Sequence, residues 1–284
     1  MNLAKVIDGK AIAAKIREDI ASQVLLLKNS SNITPGLAVI LVGENPASKL
    51  YVRNKISACK KAGIDSFEFY PSVDISEKEL LCLIASLNSN SKVHGILVQL
   101  PLPKHINPIN IINAIDPKKD VDGFTAINFG KLVTAQDCFV PCTPQGCLIL
   151  IKHAVEDLRG LNALIIGRSN IVGKPMLHVL LQENCTVTIA HSYTSNLKDL
   201  CKRADILIAA VGSPEIIKGD WVKEGSVVID VGINYNNEGK ILGDVEFSGA
   251  LEKVRAISPV PGGVGPMTVA CLLNNTLRSA LKLG

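Results

Sequence analysis

The chain reads as an α/β protein of two domains, the second built on a parallel sheet. Three observations predict this. In the second half, Ala163–Ile166 is a short apolar strand ended by Gly167, Gly173 opens the helical run Met176–Leu181, and strands follow at Thr186–Ala190, Ile206–Val211 and Val227–Val231. Strands alternating with helical runs are the sequence form of a parallel sheet covered by helices. The first half carries its own strand–helix–strand–helix–strand series between Leu37 and Leu100. At 284 residues the chain also exceeds the usual single-domain size. The expected division is 1–140 for the first domain and 141–266 for the second.

In order along the chain, Ile12, Ile16, Ile20, Val24 and Leu27 recur at helical spacing, which predicts an amphipathic helix over 10–27 ended by the polar loop Asn29–Thr34. Leu37–Val42 has almost no polar residue, as a strand buried on both faces requires. Gly43–Ala47 is a turn, and a helix runs from Ser48 to about Ala62, where Gly63 stops it. Ile64–Tyr70 alternates as a strand, and Ser76–Glu79 forms a capping box before the helix Leu80–Leu87. Gly95–Leu100 is a buried strand ended by Pro101 and Pro103. Pro101–Pro144, with many Pro, Asn and Asp, reads as loop-rich. Pro144 then occupies the favourable first-turn position of a helix, Gln145–Val155, that links the domains. The 259–266 segment, PVPGGVGP, is too rich in Gly and Pro for an element interior, and a final helix spans Met267–Leu283.

Hydrophobic residues make up 47% of the chain and aromatics only 4%, so the core is mostly aliphatic. Net charge is +4, and the lysine pairs Lys60-Lys61 and Lys118-Lys119 are isolated, which gives no support to nucleic-acid binding. None of the eight cysteines forms C-x-x-C, so buried thiols in a reducing compartment are expected and a metal site is not. No apolar run reaches the roughly 18 residues of a membrane span. The N-terminus lacks a signal-like apolar core and carries Asp8, Glu18 and Asp19, so a soluble, cytoplasmic protein is expected.

The stretch Ala163–Pro175, ALIIGRSNIVGKP, joins a strand, a glycine turn and a helix start. Backbone N–H groups and the helix dipole converge at such a corner and favour anions. The spacing Gly167-x-Ser169-x-x-x-Gly173 is one residue longer than the dinucleotide fingerprint, with serine at the second glycine. The second strand ends in Ala190, His191 and Ser192 rather than in an acid for a ribose diol, while Arg168 and Ser192 suit a 2′-phosphate. A bound dinucleotide is therefore expected to be NADP ahead of NAD; the alternative is a glycine turn that only packs helix on strand.

Other constellations leave alternatives open. Tyr51 and Lys55, four apart, share a helix face; they form either a proton shuttle or an ordinary solvated lysine beside a half-buried tyrosine. Gln99 ends a buried strand, where ligands of open α/β sheets bind, or simply leaves the sheet for solvent. Asp122, in Asp120-Val121-Asp122-Gly123, offers two side-by-side acceptors to an amino-pyrimidine edge, a D-x-D metal site with Asp120, or a local turn. Two prolines bracketing three glycines at 261–266 suggest a fixed backbone shape that a ligand can approach closely, against a plain linker. Thr143 caps the linking helix or serves a ligand.

Taken together, YVRNK (51–55), VQLPLP (98–103), DVDG (120–123), PCTP (141–144), GRSNIVGKP (167–175) and PGGVGPMT (261–268) resemble the bifunctional methylenetetrahydrofolate dehydrogenase / methenyltetrahydrofolate cyclohydrolase family over nearly the whole chain. The resemblance implies an N-terminal α/β catalytic domain, a Rossmann-like NADP-binding domain, and a last helix, 267–284, that returns to the first. It implies a folate substrate in the cleft between them and a homodimer formed through the cofactor domains. Carried over by position, Tyr51 and Lys55 are the catalytic pair, Gln99 orients Lys55, and Asp122 binds the pterin edge. Leu100, Pro261, Gly262 and Gly263 fall on substrate positions. Thr143, Gly167, Arg168, Ser169, Ser192 and Ile233 fall on cofactor positions. The rivals are another two-domain dehydrogenase of the shikimate type and a catalytically dead nucleotide-binding scaffold.

Overall fold

The computed structural model describes residues 5–236 and 238–283. The first stretch of elements is β1 (Lys5–Val6), α1 (Gly9–Ser31), β2 (Gly36–Ile40), α2 (Pro46–Ala62), β3 (Asp65–Phe69), α3 (Glu77–Ser89) and β4 (Gly95–Val98). Then follow α4 (Pro108–Asn113), α5 (Ala126–Val133), α6 (Cys142–Ala154), β5 (Asn162–Ile166), α7 (Gly173–Gln182), β6 (Thr186–Ala190), α8 (Leu197–Cys201) and β7 (Ile206–Ala209). The chain closes with a 3-10 turn (Gly219–Trp221), β8 (Val227–Asp230), β9 (Asn234–Tyr235), β10 (Ile241–Leu242), α9 (Phe247–Leu251), β11 (Ala256–Ile257) and α10 (Val264–Leu283). Two compact units result: Met1–Ala13 with Thr143–Thr268, and Ala14–Cys142 with Val269–Gly284.

The 14–142 unit holds a parallel sheet of order β3-β2-β4. β2 is central and buried at every position, which is why its sequence lacks the polar alternation of an exposed strand. α2 starts where Asn45 Oδ1 accepts from Ser48 N with Pro46 in the first turn, and it ends at Gly63 in the left-handed conformation. The Ser76–Glu79 capping box forms, and the buried Lys119 ammonium donates to the carbonyls of Leu87, Asn88 and Asn90 at the far end of α3. Ile40, Leu80, Ile84, Ile96 and Ile111 meet in the core beneath.

The second unit is a six-stranded parallel sheet of order β1-β11-β8-β7-β5-β6. The chain moves from β5 outward to β6, then crosses to β7 on the other side of β5, so the strand order reverses between β5 and β7. Ligands in open α/β sheets bind beyond the carboxyl ends at such a point.

The structure corrects the sequence reading in several places. Residues 1–13 were expected in the first domain, but β1 pairs with β11 in the six-stranded sheet. The loop-rich stretch 101–144, in which no helix was expected before residue 145, contains α4 and α5, capped by Asn107 and Thr125. Its Pro and Asn residues are start signals: Pro108 takes the first helical turn, where a missing N–H costs nothing. α6 begins at Cys142, so Thr143 lies inside the helix and does not cap it. α10 begins at Val264 and takes Gly265 and Pro266 into its first turn, whose N–H groups have no partner within the helix.

Candidate functional site

Lys55 extends from the middle of α2, and Tyr51 sits one turn earlier on the same face, 38% exposed. Lys55 Nζ donates to Gln99 Oε1 at 3.1 Å. Gln99 follows β4 directly; its backbone N–H donates to Ile40 O at 2.9 Å, which continues the ladder, and its Nε2 donates to Leu100 O at 2.8 Å. The amide is thus fixed with its oxygen towards the lysine.

Asp122 lies in the turn between α4 and α5. That turn is organised by its neighbour: the buried Asp120 accepts from Phe124 N (3.1 Å), Thr125 N (2.8 Å) and Asn128 Nδ2 (2.8 Å). Committed to three donors, Asp120 has little left for a metal, so the D-x-D alternative fails on its first member. Burial pushes the Asp122 carboxyl up from its ordinary range, the Lys55 charge pulls it back, and Asp120 raises it further. The Cys142 thiol donates to Val121 O at 3.4 Å, and burial pushes that thiol well up, so it stays neutral. Asn275, on α10, donates to Val121 O at 2.9 Å and Val140 O at 3.3 Å, and lies 3.8 Å from Cys142 Sγ. Lys55, Gln99 and Asp122 therefore form one electrostatically linked group, with Tyr51 at its edge.

In the second unit, the turns after parallel strands share one edge of the sheet. They carry Gly167, Arg168 and Ser169 after β5, Ser192 after β6, Ile233 after β8, and Pro261, Gly262 and Gly263 after β11. Gly167 has φ +124°, and a Cβ there would collide with the carbonyl of Ala210, at the end of β7. Only glycine lets the β5 turn lie this close to its neighbour. Ser169 Oγ accepts from Val172 N (3.1 Å) and Gly173 N (3.4 Å), so this hydroxyl engages the backbone at the start of α7. Arg168 lies over the ring of Tyr193, 5.6 Å from its centroid. Ser192 and Ile233 are exposed. Gly262, at φ +105°, has open space where a Cβ would stand, so its backbone is approachable. Thr143 Oγ1 and Thr268 Oγ1 share a hydrogen bond at 3.2 Å.

These residues fit a 2′-phosphorylated dinucleotide. The glycine turn stands at the reversal point, a guanidinium follows it, and residues 191–196 after β6 contain no carboxylate to meet a ribose diol.

Residues 7–122 match the model of the tetrahydrofolate dehydrogenase/cyclohydrolase catalytic domain, and residues 141–283 match the model of the NAD(P)-binding domain of the same proteins. The chain belongs to the tetrahydrofolate dehydrogenase/cyclohydrolase family. It is 55% identical to the bifunctional protein FolD 2 of Paracoccus denitrificans over 284 residues, covering 99% of this chain and 94% of that one. Its fold superposes with a TM-score of 0.96 on the Campylobacter jejuni bifunctional FolD, at 48% identity over 98% and 99% of the two chains. It superposes at 0.95 on the Trypanosoma brucei enzyme, whose crystal structure holds NADP and an inhibitor, at 35% identity over 99% of each chain. Membership with both domains matched removes the shikimate-type rival.

For a tetrahydrofolate dehydrogenase/cyclohydrolase, sequence reasoning passed over several residues. Cys142 and Asn275 both donate to the Val121 carbonyl and so hold the turn that carries Asp122, yet neither stands beside it in sequence. Two further buried carboxylates order the cofactor edge. Asp244 accepts from Val211 N (2.7 Å), Gly212 N (3.0 Å), Ser213 N (2.9 Å) and Asn234 Nδ2 (2.9 Å). Asp230 accepts from Gly232 N, Asp244 N and Val245 N, each at 2.9 Å. The pair ties the turn after β7 to the turn that carries Ile233. The only sequence signal was an aspartate at the end of an apolar strand.

Proposed function

We propose that this protein oxidises 5,10-methylenetetrahydrofolate to 5,10-methenyltetrahydrofolate with NADP+, then hydrolyses the product to 10-formyltetrahydrofolate, in one-carbon metabolism. The single observation that carries the assignment of roles is the Lys55–Gln99 hydrogen bond beside the half-buried Asp122 carboxylate, in a chain that matches both domains of the family.

When bound, NADP+ accepts hydride from the methylene carbon, a step that needs alignment more than acid or base. The residues assigned to hold it are Gly167, Arg168, Ser169, Ser192, Ile233 and Thr143. Ser169 also fixes the start of α7 through Val172 N, and Arg168 faces the 2′-phosphate as an always-charged partner.

Asp122 accepts from the paired N–H donors of the pterin edge. Leu100, Pro261, Gly262 and Gly263 line the substrate, the last two through backbone. Hydrolysis of the methenyl cation is the step that needs proton management. Water adds to the one-carbon unit and gives up a proton, and the C–N bond breaks as its nitrogen is protonated. Lys55 handles those protons, with Gln99 fixing the ammonium and Tyr51 placed to relay.

The reading includes a homodimer formed through the cofactor-binding units, and a cytoplasmic location. Among the described residues no helix is long and apolar enough to cross a membrane.

The test is spectroscopic. Given methylenetetrahydrofolate and NADP+, the purified protein should form NADPH while a methenyl chromophore rises and decays. A protein that produces neither signal is not this enzyme.

A further inference from the structure

Tyr193 is 82% exposed, more than any other large hydrophobic side chain among the described residues. An aromatic ring this open to water calls for a reason. The ring is held by its turn. His191 N donates to Thr194 Oγ1 at 2.8 Å, Thr194 N donates to His191 O at 2.8 Å, and Tyr193 N donates to His191 Nδ1 at 3.2 Å. The His191 ring stands edge-on to it, with centroids 6.1 Å apart and planes at 74°. The Arg168 guanidinium lies over the same ring, 5.6 Å from its centroid.

Arg168 and Tyr193 belong to neighbouring strand ends. β5 and β6 pair in parallel with Ile166 opposite Ala190, so the turns beginning at Gly167 and His191 leave the sheet side by side. This is the edge at which an adenosine ribose is bound in such sheets. The turn supplies hydroxyls from Ser192, Thr194 and Ser195 and no carboxylate.

We propose that Tyr193 is a specificity-determining residue: its ring holds the Arg168 guanidinium at the end of β6, ready for the 2′-phosphate that distinguishes NADP+ from NAD+. This rests on the dinucleotide reading above. A free arginine samples many rotamers, and phosphate binding must freeze them. Stacking on a ring removes part of that freedom beforehand, and the planar guanidinium keeps its edge N–H donors available to phosphate. An exposed cation–π contact is weak, so the effect is a modest preference. NAD+ has no 2′-phosphate and gains nothing from it.

The experiment measures dehydrogenase kcat/KM with NADP+ and with NAD+ in the full-length enzyme, alongside methenyl hydrolysis, which needs no dinucleotide and reports an intact fold. Tyr193→Ala should lower the NADP+/NAD+ ratio of kcat/KM about two- to fivefold, chiefly through the KM for NADP+. Tyr193→Phe should keep the wild-type ratio, because the ring remains. In an Arg168→Ala background, Tyr193→Ala should lower the ratio no further, since the two residues act as one unit. An unchanged ratio in Tyr193→Ala overturns the proposal, as does an equal loss in Tyr193→Phe or an additive loss in the double variant. A wild-type enzyme that prefers NAD+ overturns the cofactor reading itself, before any variant is made.

Discussion

Lys55 Nζ and Gln99 Oε1 are 3.1 Å apart, and the same Gln99 amide donates from Nε2 to Leu100 O. The second bond decides the first. With its nitrogen engaged by a backbone carbonyl, the amide can only present oxygen to the lysine, so the ammonium is aimed by the end of a β-strand.

Gln99→Leu should therefore disorder Lys55 without removing it. Methenyl hydrolysis is expected to fall about ten- to a hundredfold, with a smaller loss in hydride transfer, which depends on alignment rather than on a proton. Steady-state absorbance at the methenyl band measures the first, and NADPH formation the second. Equal losses would mean that Gln99 serves substrate binding alone.

Asp122→Asn exchanges a charge-assisted double acceptor for one acceptor and one donor. The folate KM should rise about tenfold or more. Burial holds the Asp122 proton to higher pH than usual. The anion that binds the pterin therefore accumulates only as pH rises through that elevated pKa. The wild-type kcat/KM should show an acidic limb, and Asp122→Asn should flatten it.

Asp244→Asn places an NH2 group against backbone donors in the 211–213 turn. Two or more N–H groups lose their acceptor, so stability should drop by about 2–4 kcal/mol. Trp221 is the only tryptophan and packs on the core of this unit, so its fluorescence during urea unfolding reports the change. The KM for NADP+ should rise as the turn loosens.

Burial raises the Asp230 carboxyl to about 6, against three backbone N–H donors that favour the anion, and the Asp244 charge raises it further. The folded state thus keeps this proton to higher pH than the unfolded chain, whose carboxyl titrates near ~4. The sign follows: Asp230 favours folding most at low pH, and that contribution is lost as pH rises from about 4 to about 6, amounting to about 3 kcal/mol. Urea midpoints followed through Trp221 across that window should show the decline superimposed on other titrations, and Asp230→Asn should remove it.

The parallel-sheet pattern was legible because buried parallel strands are continuous apolar runs, as in Leu37–Val42 and Ala163–Ile166. Helix limits set by strong caps, at Gly63 and at Ser76–Glu79, were legible too. Two-residue strands were not: β1 and β11 are too short to show a period, and they exist because their neighbours pair with them. α4 and α5 were hidden because their cap residues, Asn107, Pro108 and Thr125, read equally as loop. At the sites, Lys55, Gln99 and Asp122 stood out by residue type and position. What holds them did not, because Asn275 meets Val121 from 154 residues away. Ser169 is assigned to the dinucleotide, and its hydroxyl also accepts from Val172 N and Gly173 N at the start of α7. A serine hydroxyl can accept from backbone and donate to a ligand at once, and the local sequence showed only the second role.

The most direct test is hydrolysis of methenyltetrahydrofolate by Lys55→Met, which keeps a long unbranched side chain and removes the ammonium. Decay of the methenyl absorbance should fall to the uncatalysed rate, while NADPH formation from methylenetetrahydrofolate is at least partly retained. Hydrolysis at the wild-type rate in that variant would contradict the assignment.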